Sequence, residues 1–89
     1  MFYVYILKSK KDNKCYIGST NDLRNRVRFH NEGKVFSTQH RRPLNLIYYE
    51  AYLSEKDARK REQMLKNYGQ GITNIYKRIS ESLRMEGAG

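Results

Sequence analysis

Six consecutive apolar or aromatic residues, Phe2 to Leu7, stand near the start of the chain. A run without polar alternation suits a strand covered on both faces, and hence a central one. Lys10, Lys11, Asp12 and Asn13 supply turn chemistry. Cys15, Tyr16 and Ile17 then resume a strand that stops at Gly18, so the pair reads as a β-hairpin. Asn21 or Asp22 can cap a helix in which Leu23, Val27 and His30 recur at i, i+4 and i+7 until Gly33 stops it. Lys34 to Pro43 follows neither period and carries His40, Arg41 and Arg42, the mark of a basic loop. Leu44 to Leu53 reads as a third strand. Ser54 with Asp57 three residues on resembles a capping box, with Asp in place of Glu, opening a helix to about Tyr68. Gly69 and Gly71 are expected to break that helix. A last helix over Thr73–Leu83 carries Ile75, Ile79 and Leu83 four apart.

The order β-β-α-β-α-α predicts an α+β fold, a small three-stranded antiparallel or mixed sheet flanked by helices. Placing the apolar first strand in the middle gives the order 2-1-3. If the second and third strands lie parallel, a right-handed crossover joins them. One domain is expected over residues 1–84, with Met85–Gly89 as a flexible tail.

Charge narrows the function classes. Eighteen Lys and Arg against nine Asp and Glu give a net charge of +9, which attracts polyanions, nucleic acid first. No apolar run approaches the roughly 20 residues of a membrane span. No stretch combines a broad apolar face with a continuous basic one, so a membrane-surface role is not expected. The single cysteine, Cys15, forms no internal disulfide and no zinc site, which fits a reducing compartment. The apolar run precedes the first charges, the reverse of a secretory signal, so the expected location is the cytoplasm.

Several residues carry candidate chemistry. Tyr5 and Tyr16 fall on neighbouring strands and share a face if the register pairs them. With eight tyrosines in the chain, core filling is the competing role. Arg26 and His30 are i, i+4 on one helix face. Arginine suits a phosphate through two parallel hydrogen bonds, and histidine exchanges protons near neutral pH. The alternatives are a solvated charge for Arg26 and a helix-end dipole partner for His30. Glu62 has helical spacing with Ala58 and Leu65, on the side that faces the sheet. A carboxylate there needs a partner, either a divalent cation or Lys66 one turn on.

Tyr3-Val4-Tyr5, ten residues, then Tyr16-Ile17-Gly18 resembles the two half-motifs of the GIY-YIG nuclease superfamily. Tyr3 stands where the family usually has Gly, and Val4 replaces Ile. The resemblance continues from Gly18 through Arg26 to His30 and reaches Arg61-Glu62. It is similar to the nuclease domains of the UvrC-type excinuclease subunit and of homing endonucleases. It implies a GIY-YIG fold and a metal-dependent DNA endonuclease, structure-selective in repair or recombination. Glu62 would hold one Mg²⁺ or Mn²⁺, and Arg26 would stabilise charge on the phosphate. Tyr5 would help take a proton from the attacking water, with Tyr16 and His30 orienting the water or assisting. Many members carry an Asn a dozen residues after the glutamate. Asn74 has that spacing, and it equally suits a cap of the last helix. Some relatives have Lys after the second half-motif, where this chain has Ser19. Lys34, Arg41 and Arg42 would compensate from the loop or bind DNA backbone. DNA is the expected partner, RNA the second candidate, and a partner protein could supply targeting. The alternative function is a catalytically weak or inactive nucleic-acid-binding module of the same fold, which Tyr3 and Ser19 favour.

Overall fold

Val4, Tyr5, Ile6 and Leu7 are all buried, as a run with no polar break requires. In the structure, a computed structural model describing residues 1–88, they form the middle of strand β1 (Phe2–Ser9). β2 (Cys15–Thr20) and β3 (Leu44–Tyr52) flank it in the order β2-β1-β3, both pairings antiparallel. The expected 2-1-3 sheet is therefore present.

The period of two along β1 divides the core. Val4 and Ile6 pack with Ala58, Leu65 and Ile75 on one face. Tyr5 and Leu7 pack with Leu44, Tyr16, Leu23 and Val27 on the other. Each fully buried aliphatic side chain contributes roughly 1.5–3 kcal/mol, so each face has its own hydrophobic anchor. The β1–β3 register shifts between Ile6 and Leu7. Ile47 is the extra residue, and it packs with Tyr48 on the Val4/Ile6 face. That bulge explains why the third strand reads as consecutive apolar residues rather than alternating ones.

Helix α1 (Leu23–Asn31) is capped by the Asp22 side chain, which accepts from the Asn25 N–H. It lays Leu23 and Val27 against the Tyr5 face. Helix α2 (Glu55–Asn67) is capped by Ser54, as the capping-box pattern requires. It straddles the opposite face. Ala58 and Leu65 point at β1, Arg61 pairs with Glu50 of β3 at 2.9 and 3.0 Å, and Glu62 accepts from Ser19 of β2 at 2.6 Å.

The C-terminal third differs from the expectation. α2 itself ends at Tyr68 as expected, where the backbone is extended at φ −129°, ψ 103°. Gly69 and Gly71 lie inside helix α3 (Gly69–Arg78) rather than between helices. A Cβ on Gly71 would stand 3.0 Å from Leu65 Cδ2, so this glycine allows α3 to start close against α2. The single helix expected over Thr73–Leu83 is instead two, with Ile79 between α3 and α4 (Ser80–Ala88). Ile72, Ile75 and Ile79 still reach the same core, because burial, not helix continuity, set their spacing. Of the expected tail Met85–Gly89, residues through Ala88 are helical, and Gly89 lies outside the described residues. Glu86 pairs with Lys8 at 3.3 Å and accepts from Asn45 at 3.3 Å, which ties α4 to the sheet.

Candidate active site

Tyr5 and Tyr16 are not direct cross-strand partners. Tyr5 faces Gly18 and Tyr16 faces Leu7, so the two tyrosines sit diagonally on the α1 face. Their ring centroids are 6.3 Å apart. Gly18 makes this possible. A Cβ there would lie 2.5 Å from the Tyr5 hydroxyl and 2.6 Å from its Cζ. The ring crosses the space that any other residue would fill.

The Tyr5 hydroxyl lies 2.9 Å from His30 Nε2, and both residues are buried. On the far side of the imidazole, Nδ1 is 2.7 Å from Thr38 Oγ1. Thr38 donates its own hydroxyl hydrogen to the Val35 carbonyl at 3.5 Å, so its oxygen accepts from Nδ1–H. That network assigns the proton to Nδ1 and leaves Nε2 to accept from Tyr5. Burial lowers the His30 pKa to about 4, and the nearby Arg26 charge adds to the shift. The Tyr16 ring packs edge-on to the imidazole at 4.9 Å. His30 is thus neutral near pH 7 and poised as an acceptor. It is not the exposed helix-end residue that a dipole role would require.

Arg26 lies against the tyrosine hydroxyls. Its bond to Tyr5 raises the guanidinium pKa, with Tyr16 adding to the effect. Burial raises the Tyr5 pKa, and the Arg26 bond offsets only part of that rise. Arg26 also lines a cleft of about 300 Å³ with Ser19, Asn21 and Arg59. Four of the five expected site residues, Tyr5, Tyr16, Arg26 and His30, therefore converge on one face.

Glu62 stands on the other face, bonded to Ser19 of the edge strand β2, and is not among the residues lining the cleft with Arg26. Its charge is close enough to act on Tyr5. Burial would raise its pKa, but hydrogen bonds from Lys66 and Ser19 outweigh this and lower it. Lys66 Nζ donates to Oε2 at 2.6 Å. The carboxylate therefore has the helix-neighbour partner that its spacing offered. No group of three or more His, Cys, Asp or Glu able to hold a metal occurs among the described residues. The donors at Glu62 are a carboxylate and the Ser19 hydroxyl. Oxygen donors fit a hard divalent cation that keeps waters and takes substrate phosphate as ligand.

The basic residues of the loop are engaged elsewhere. Arg41 pairs with Asp12 at 3.2 Å and donates to the Cys15 carbonyl at 3.4 Å, bracing the hairpin turn. Arg42 donates to the Gln39 carbonyl at 2.8 Å. Lys34 pairs with Glu32 at 3.1 Å and sits 4.9 Å from the Phe29 ring centre. Asn74 lies within α3, where it accepts from Gln70 at 3.1 Å, and it does not cap the helix. Two residues escaped sequence reasoning. Thr38 sits in a loop without periodicity, and no motif marks it. Arg59 is one cation among eighteen, although its place one turn before Glu62 was a usable signal.

Known proteins share this chain's family and fold. The family model of the GIY-YIG catalytic domain matches residues 1–71. A UPF0213 protein of Bacillus pumilus is 35% identical over 85 residues, covering 94% of this chain and 83% of its own. The UPF0213 protein YazA of Bacillus subtilis is 37% identical over 75 residues, covering 83% and 75%. The solution NMR structure of a UPF0213 protein of Bacillus halodurans matches with a TM-score of 0.56 at 30% identity, over 89% of this chain and 87% of that one. The family match spans Tyr5, Tyr16, Arg26, His30 and Glu62 and ends before Asn74. With both half-motifs on adjoining strands and a family match over most of its length, this chain belongs to the GIY-YIG family of nuclease domains.

Proposed function

We propose that this protein is a metal-dependent DNA endonuclease that hydrolyses phosphodiester bonds, with a role in repair or recombination. The observation that carries the reading is the buried chain Tyr5–His30–Thr38, set beside Arg26 in an open cleft. A structural tyrosine needs no neutral imidazole oriented behind it.

Arg26 binds the scissile phosphate and offsets the charge that builds on its oxygens during in-line attack. Tyr5 takes a proton from the attacking water as its own hydroxyl proton passes to His30 Nε2. The phenol stays neutral overall, and the histidine becomes the cation. This route avoids free phenolate, which roughly 4 kcal/mol opposes at pH 7 for an ordinary phenol, and which burial opposes further here. Charging His30 is itself opposed, chiefly by burial and to a lesser degree by the Arg26 charge, and phosphate beside Arg26 offsets that second, smaller part. Thr38 holds the productive tautomer. Tyr16 walls the imidazole and contacts Arg26. Glu62 with Ser19 would hold Mg²⁺ or Mn²⁺, which supplies Lewis-acid stabilisation of phosphate charge.

The second reading is a binding module of weak or no activity. It is favoured by the engagement of both Glu62 oxygens, by Ser19 and Lys66. The test is cleavage of duplex, nicked, flapped and branched DNA with Mg²⁺ or Mn²⁺, using wild type and Glu62→Gln. The nuclease reading expects cleavage that requires metal and a variant that binds Mn²⁺ more weakly. Metal-independent binding with no cleavage of any substrate favours the module.

A further inference from the structure

Tyr3 and Tyr49 form an aromatic corner that the hydrolytic site does not use. Tyr3 lies two residues before Tyr5 on the same face of β1, and Tyr49 is the β3 partner of Tyr5. Their rings meet edge to face at 5.9 Å, yet Tyr49 remains 53% exposed. With Leu46, Leu23 and Val27 they line a groove of about 550 Å³. Asn21 lines both this groove and the cleft that contains Arg26. Arg24 stands at the groove with no ion pair among the described residues.

We propose that this groove stacks one unpaired nucleobase next to the phosphate held at Arg26, so that the protein selects DNA with an unpaired nucleotide at the cut. The proposal rests on the nuclease reading and deepens it. Three observations select a base as the occupant. The groove shares Asn21 with the cleft that contains Arg26, so a strand whose phosphate lies at Arg26, as the nuclease reading has it, places its neighbouring nucleotide there. The wall combines aromatic rings with the Asn21 amide, the pairing that holds a base by its face and its edge. The chain carries +9, and unpaired Arg24 supplies a cation for the flanking phosphate. A fully paired duplex keeps its bases stacked inside the helix and cannot fill the groove.

The test uses the full chain and two short DNA duplexes, one with a single unpaired 2-aminopurine and one fully paired. Binding of the first is expected to quench 2-aminopurine fluorescence through stacking. Tyr49→Ala should bind the unpaired DNA about tenfold more weakly or worse, while its affinity for paired DNA changes less than about twofold. Tyr49→Phe, which keeps the ring, should behave as wild type. Tyr49 is half exposed, so the alanine variant retains the core, and a melting curve checks this. Equal losses on both DNAs, unchanged affinity for both, or absence of quenching would overturn the proposal. A groove made for a protein partner gives the second of these results. Because the readout is binding, the two readings fail separately. Discrimination by Tyr49 without cleavage refutes the nuclease and keeps the groove. Metal-dependent cleavage indifferent to Tyr49 and to the unpaired base does the reverse.

Discussion

Thr38 contributes one buried hydroxyl, and on it depends which nitrogen of His30 faces Tyr5. Thr38→Val keeps the shape but leaves Nδ1–H without a partner, a cost of about 1–3 kcal/mol. It should also reduce cleavage more than binding, because the tautomer is no longer fixed, and Thr38→Ser should restore both. A Val variant as stable and as active as the Ser variant would remove Thr38 from the site. His30 itself makes stability depend on pH. Its folded pKa of about 4 lies below the ordinary 6.5, so the unfolded chain takes up a proton that the folded one refuses. The contribution is fully present above about 6.5 and is lost as pH falls through about 4. Glu50 and Glu62, whose pKa values are lowered from 4.5, add their losses only below that value. Denaturation midpoints of wild type should therefore fall between pH 6.5 and 4.5, and His30→Gln should flatten that limb.

At the scale of elements, α2 is held by two adjacent side chains that grip opposite edges of the sheet. Arg61 donates two hydrogen bonds to Glu50, which also accepts from Tyr48 at 2.7 Å and from Tyr52. Burial and the Glu50 bond push the Tyr52 phenol up to about 12, so it stays protonated and donating throughout the working range. Glu62 takes Ser19 on the other edge. Arg61→Ala should cost about 2 kcal/mol, since it removes two charge-assisted bonds from a partly buried carboxylate, and should lower the melting temperature by on the order of 10 °C. It should also lower cleavage, because the helix that aims Glu62 loses one of its two grips. Full activity in a destabilised variant would show that Ser19 alone suffices. Much of this frame was legible in the sequence. The apolar run of β1 fixed the centre of the sheet, and the spacing of Ala58, Glu62 and Leu65 fixed the inward side of α2. Thr38 and the Glu50–Arg61 clamp were not legible, since each joins residues distant along the chain through one hydrogen bond that leaves no periodic trace. The end of α2 near Tyr68 was legible as well, but the start of α3 at Gly69 was not. Gly71 serves close approach to Leu65, a tertiary demand that looks in sequence like a helix stop.

For the whole molecule, the decisive quantities are charge and size. The protein measures 33 × 30 × 20 Å, so its long dimension spans about ten base pairs of duplex at roughly 3.4 Å each. Only the phosphates facing one side of that length are reachable, about four to six. With +9 net charge and few groups placed to read base edges, binding should be mainly electrostatic. The slope of log affinity against log salt should lie near −4 to −5. A slope close to zero would remove nucleic acid as the ligand. Arg26 then separates binding from chemistry. It is one of eighteen cations, so Arg26→Ala should change duplex affinity by less than about tenfold and reduce the slope by roughly one. In the transition state its position matters more than its charge count. It lies against the Tyr5 hydroxyl and lines the cleft where phosphate would sit. Loss of such a preorganised donor lowers kcat by about 10² to 10³. The two effects are measurable on one substrate, by titration without metal and by single-turnover cleavage with Mg²⁺. If affinity and rate fall by the same factor, Arg26 is an ordinary backbone contact. The buried Tyr5–His30–Thr38 chain beside it would then need a purpose other than hydrolysis.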